Sequence, residues 1–181
     1  MGGSLGALIG SYAADIGAYN SIATLSGTGS SGTISFTSIP SNYKHLQFKI
    51  HSISTGAADW VFTRFNNDTT AANYRQHRLW GDGGGGAFSQ TNSGQASIMY
   101  NFIGGSTTDP STGVMDILDY ANTGKNKTTN TFFGWDINGG GQVNFISGLY
   151  MSTSAINRVD FILQSSSFAT STRISLYGIK G

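Results

Sequence analysis

Three tryptophans, Trp60, Trp80 and Trp135, are the side chains of this sequence best suited to holding a ligand. With Tyr74, Tyr100, Tyr120 and Tyr150 they could stack on the apolar face of a sugar. Indoles also fill sandwich cores and subunit interfaces, and that reading is favoured here. The three stand as candidate surface-contact residues. His45 and His51 share one face of an alternating segment but lie six residues apart, roughly 20 Å in a strand. They cannot bind one metal together. Asp116 and Asp119 are odd and even neighbours, so on a strand they point to opposite faces and fail as a paired-carboxylate site. Asn66-Asn67-Asp68-Thr69 offers oxygen ligands, and Asp68 and Asp82 are the calcium candidates. Calcium wants six or more oxygens and several carboxylates. An Asx-type turn is the simpler reading at both positions. Neither an H-E-x-x-H zinc pair nor a P-loop occurs. The expectation is therefore a protein that is not an enzyme, with no catalytic residue, no metal and no cofactor.

Elements that could position these side chains follow from composition. The 181 residues suffice for one well-cored domain. Charged residues make up 10%, against about 25% in typical domains. All nine acids are Asp, Gly reaches 26, and Ser with Thr make up about a quarter of the chain. Losing Glu removes a strong helix former, while Gly, Ser, Thr and Asn favour turns and short strands. The composition argues all-β. So little surface charge also suits a protein whose faces meet other protein faces. The net charge is +1 with scattered basic residues, which is no footprint for nucleic acid or an anionic membrane. Cysteine is absent, so no disulfide or thiolate chemistry is expected, and assembly in a reducing cytosol fits.

Residues 1–18 differ from the rest. Leu5, Leu8, Ile9, Tyr12 and Ile16 recur at helical spacing, while Gly6, Gly10 and Gly17 weaken an isolated helix. They are expected to form an arm that anchors against a partner, preceding a domain over 19–181. From Tyr19 the period becomes two. Leu46, Phe48 and Ile50 fall on one face; His45, Gln47, Lys49 and His51 fall on the other. Eleven strands are expected, near 19–25, 32–39, 43–53, 59–66, 74–81, 95–103, 113–120, 127–137, 142–151, 156–164 and 172–179. Asn138-Gly139-Gly140-Gly141 is the plainest hairpin turn. Gly83 to Gly86 and Gly104 to Pro110 read as surface loops. Many short strands between such turns imply an antiparallel sandwich or barrel.

Several blocks carry a resemblance. They are Ser21-Ile-Ala-Thr-Leu25, Ile34-Ser-Phe-Thr-Ser-Ile-Pro40-Ser-Asn-Tyr-Lys-His-Leu-Gln47, Arg64-Phe-Asn66 with Asp68, Asn73-Tyr74, Asp119-Tyr-Ala-Asn-Thr123, and Ser175-Leu-Tyr-Gly-Ile179. Over about residues 19–179 the chain resembles small virion proteins of tailed bacteriophages; residues 1–18 are outside the likeness. The resemblance implies a β-sandwich of jelly-roll type that is a structural part of the particle, assembled in the host cytoplasm. Capsid decoration or cement is the first expectation. Such a protein would self-associate, as trimers above all, and dock on the major capsid protein through its arm. The alternative is a tail or fibre component that binds host surface glycan. Aromatics clustered with Asp and Asn on loops at one end of the sandwich would favour that alternative.

Overall fold

The alternation of apolar and polar residues becomes twelve strands among the described residues of the computed structural model, which are 17–56, 58–93, 95–103 and 107–181. The first four strands are β1 (Tyr19–Ser26), β2 (Thr33–Phe36), β3 (His45–Ser52) and β4 (Asp59–Phe65). A 3-10 turn over Ala71–Asn73 leads to β5 (Tyr74–Gly81), β6 (Ala87–Ser93), β7 (Ile98–Ile103) and β8 (Ser111–Leu118). The chain continues through β9 (Lys127–Ile137), β10 (Gly140–Tyr150), β11 (Val159–Leu163) and β12 (Arg173–Ile179).

The strands form two antiparallel sheets. The larger has the order β1-β12-β3-β8-β9-β10-β5-β6, and the smaller has β2-β11-β4-β7. The protein is an all-β sandwich, as the composition argues. Two hairpins, β5–β6 and β9–β10, lengthen the larger sheet beyond β8. We refer to those four strands as the extension.

One strand differs from the sequence expectation. β6 pairs with β5 along its whole length, from Arg75 opposite Ser93 to Gly81 opposite Ala87. Its sequence, Ala87-Phe-Ser-Gln-Thr-Asn-Ser93, has no apolar alternation to detect. It is an edge strand, and its residues 87–91 are all exposed, so nothing selects a buried face. The loop read at Gly83 to Gly86 is the turn between these strands, with Gly83 and Gly85 in left-handed conformations. The β9–β10 turn falls at Asn138-Gly139, with Gly139 at φ 94°.

The core lies between the sheets. Phe48 of the larger sheet meets Phe36 and Phe161 of the smaller one edge to face, with centroids 5.3 and 5.1 Å apart. Leu46, Phe48, Ile174 and Leu176 are buried on neighbouring β3 and β12. A second cluster stacks Tyr74 on Tyr150 at 5.0 Å, with Phe65 beside both. Close approach also explains two glycines. A Cβ on Gly148 would come within 2.8 Å of Ile98, and one on Gly178 within 2.4 Å of the Tyr43 ring.

Asp119 follows β8 in a left-handed conformation, φ 49°, and ties that end of the sandwich together. Its N–H donates to His45 Nδ1 at 2.9 Å, and its carboxylate pairs with Lys125 and with Lys44, the latter at 2.9 Å. The Lys125 bond first, and Lys44 next, hold the carboxyl down at about 2. An unfolded Asp titrates near ~3.9. The contribution is therefore complete above about pH 4 and is lost as pH falls through about 2. Both lysines are half-exposed, so the effect is modest and salt-sensitive. Asp119→Asn, which tolerates the same φ, is expected to lower the melting temperature at pH 6 and to lower it much less at pH 2, where the carboxylate is already partly protonated; scanning calorimetry at the two pH values checks this.

Candidate contact surface and loop-end cluster

The outer face of the extension carries the least expected feature of the molecule. Registers across the larger sheet place Lys49 opposite Val114, Val114 opposite Phe132, Phe132 opposite Phe145, and Phe145 opposite Leu79. Four apolar side chains thus stand in one row across β8, β9, β10 and β5. Three of them are about half exposed: Phe132 at 56%, Phe145 at 49% and Leu79 at 53%. One neighbouring row is polar: Gln47, Asp116, Asn130, Ser147 and His77. The row on the other side is small: Thr112, Gly134, Val143, Gly81 and Ala87. Missing side chains at Gly134 and Gly81 leave hollows of ≈ 440 and ≈ 250 Å³ beside the apolar row. A scattered exposed Leu or Val is ordinary; a contiguous row, bordered by polar residues on one side and by the exposed Val143 among small residues on the other, is a candidate contact surface.

The three tryptophans come together at the end of the extension, joined by residues that the sequence did not single out. Arg78 of β5 has its guanidinium carbon 4.8 Å from the Trp60 ring centre and 4.2 Å from that of Trp80. Trp60 contacts Phe102 at 4.3 Å, Phe102 contacts Trp135 at 5.5 Å, and Trp80 stacks on Phe88 at 5.4 Å. Arg78 is buried and has no carboxylate within ion-pair reach among the described residues. Amide oxygens take its protons instead: Nε donates to Asn144 Oδ1 at 2.7 Å and Nη2 to Gln142 Oε1 at 2.9 Å. Burial lowers the guanidinium to about 10, which leaves it charged at neutral pH. The indole faces stabilise that charge by cation–π attraction. All three tryptophans are half-buried, so core and surface readings each describe part of them.

The remaining sequence candidates are dispersed. Asp68 forms the expected turn. Its Oδ1 accepts the Thr70 N–H at 2.8 Å, and its Oδ2 accepts from Asn73 Nδ2 at 2.7 Å and from the Tyr150 hydroxyl at 3.0 Å. These donors hold the Asp68 carboxyl below its usual value against the opposing effect of desolvation. Asn66 and Asn67 adopt left-handed conformations in the same turn. Asp82 lies past the far end of β5, eight strand residues away, roughly 26 Å. Asp68 and Asp82 therefore cannot share an ion, and no group of three metal-ligating side chains occurs among the described residues. Asp116 accepts from Gln47 Nε2 at 2.7 Å, away from the Asp119 ion pairs. His51 and His77 are exposed on β3 and β5. Arm residues Leu5, Leu8, Ile9, Tyr12 and Ile16 lie outside the described residues.

Lys127 was not anticipated from sequence. It is fully buried, and its ammonium donates to the carbonyls of Lys125, Ser152 and Thr153 at 2.8, 3.4 and 3.2 Å. It fastens the loop after β10 to the start of β9.

Compared with known proteins, the chain matches no family model, no curated protein and no solved structure. No helix among the described residues is long and apolar enough to cross a membrane.

Proposed function

We propose that this chain is a non-enzymatic structural protein of a tailed-phage virion, a capsid decoration or cement protein that docks on other protein surfaces through its sheet extension. The observation that carries the reading is the row Val114, Phe132, Phe145 and Leu79 on the outer face. Fully burying a Phe or Leu side chain contributes about 1.5–3 kcal/mol; Phe132, Phe145 and Leu79 are already about half buried, so a partner covering the row gains roughly half of that at each. Strand order supports the jelly-roll part of the proposal. Without the two hairpins of the extension, β1-β12-β3-β8 faces β2-β11-β4-β7, the order of a double-sheet jelly roll. The framework bonding supports a mechanical role. Asp59 accepts from Ser165 and Ser166, Asp160 pairs with Arg158, and Asp68, Asp116 and Asp119 are engaged as described. Homotrimers and contact of the N-terminal arm with the major capsid protein belong to the same proposal.

The tail or fibre alternative retains one favouring observation, the nearness of Trp135, Asp82 and Asp136 at the turns that end the extension. Copy number separates the two. Quantitative mass spectrometry of purified particles is expected to find hundreds of copies, as shell decoration requires; a few dozen or fewer would place the protein in the tail.

A further inference from the structure

The contact row of the extension has a counterpart in the residues that precede β1. The row is uncharged from Val114 to Leu79, and its next neighbours in register are Lys49 on β3 and Ser89 on β6. Its four members lie on adjacent strands, so three strand spacings separate its ends, about 14 Å. The hollows of ≈ 440 Å³ at Val114 and ≈ 250 Å³ at Leu79 are large enough to receive aliphatic or aromatic side chains. Residues 1–16 carry Leu5, Leu8, Ile9, Tyr12 and Ile16 at helical spacing, and Asp15 is their one charged side chain. At a rise of about 1.5 Å per residue, the stripe from Leu5 to Ile16 is about 16 Å long. The two apolar surfaces match in length and in lack of charge. Their ends are complementary in charge. The Lys49 ammonium lies 5.6 and 5.4 Å from the Tyr19 and Tyr177 ring centres and has no carboxylate within ion-pair reach among the described residues.

As a helix, the chain's own arm does not cover the row. Tyr19 lies in register with Ile179 and His45, and His45 is four residues along β3 from Lys49. Leu79 is therefore six strand spacings across from Tyr19 and four residues along, about 32 Å away. Fourteen residues of helix, from Tyr19 back to Leu5, span about 21 Å. Leu5 would stop near Val114, and the rest of the stripe would lie over β12 and β3, whose outward residues include Ser175, Gln47 and Lys49. A neighbouring copy has no such limit. We propose that residues 5–16 of a neighbouring copy lie along the row, with Leu5 at Leu79 and Asp15 at Lys49. The contact is head-to-tail, arm to extension, a type that closes into a ring and suits the proposed trimer. Gly3, Gly10 and Ala14 fall on the far side of such an arm and are left for the capsid shell. The inference rests on the reading of the row as an association surface and names the segment that fills it.

The test is complementation between two full-length variants, read by light scattering. Leu8→Asp with Tyr12→Asp spoils the arm and leaves the row intact. Phe132→Lys with Phe145→Asp spoils the row and leaves the arm intact. Each is expected to be a monomer alone. An equimolar mixture is expected to double in mass, because the intact arm of one meets the intact row of the other. A mixture that stays monomeric overturns the proposal, and so does an arm variant that associates like wild type. If the row variant is then still a monomer, the association surface stands and only its occupant is wrong. Association of the row variant like that of wild type removes the surface itself, and the proposal with it. Disulfide trapping checks the geometry without adding charge, since the chain has no cysteine of its own. Ser4→Cys mixed with Ser89→Cys is expected to give more covalent heterodimer, read by mass spectrometry, than Ser4→Cys mixed with Lys49→Cys. Equal yields or the reverse order overturn the proposed seating of the arm.

Discussion

Phe48→Ala is expected to remove about 3–5 kcal/mol of folding stability. Phe48 has no exposed surface, and its ring is bracketed by Phe36 and Phe161 from the opposite sheet. Truncation deletes the transfer free energy of the ring and two edge-to-face contacts, and it leaves a void between two sheets. The void cannot close easily. Phe48 sits on β3, which is hydrogen-bonded to β12 on one side and β8 on the other, so the backbone cannot move inward alone. In a domain of this size the loss corresponds to a melting temperature roughly 10–15 °C lower. Urea denaturation at constant slope checks the free energy. A loss near ~1 kcal/mol would mean that the sheets collapse around the gap, against the packing described.

The second large effect concerns association. Phe132→Lys combined with Phe145→Asp is expected to abolish it. The two positions face each other across β9 and β10, so opposite charges form a cross-strand pair and the sheet keeps its register. Neither side chain contributes to the core, since both are about half exposed. Folding stability should therefore change by less than about 1 kcal/mol. Light scattering should show wild type increasing in mass with concentration and the double variant remaining a monomer. Equal masses for the two proteins would remove the row from the association surface.

Much of the sandwich is legible in the residues, and the illegible parts have physical causes. β3 announces itself through Leu46, Phe48 and Ile50, because one buried face imposes a strict period of two. β6 does not, because an exposed edge strand imposes none. The division into two sheets follows from pairings between strands far apart in sequence, such as β1 with β12, which no local pattern records. The contact row left a signal of a different kind. Each of its members is half of an apolar doublet: Val114-Met115, Phe132-Phe133, Phe145-Ile146 and Leu79-Trp80. In a strand one member of each pair must face outward. Four doublets therefore give four outward apolar side chains, but only the register shows that they line up. The tryptophans were visible as candidates, whereas the arginine between two of them was not. A buried guanidinium held by Asn144 and Gln142 instead of a carboxylate has no sequence signature.

The most direct measurement of the central claim is a reconstruction of the native assembly at a resolution that traces this chain. The outer face of the extension should be covered by protein, with Phe132 and Phe145 against apolar side chains of a neighbour. Finding that face open to solvent, with neighbours touching the molecule elsewhere, would contradict the account.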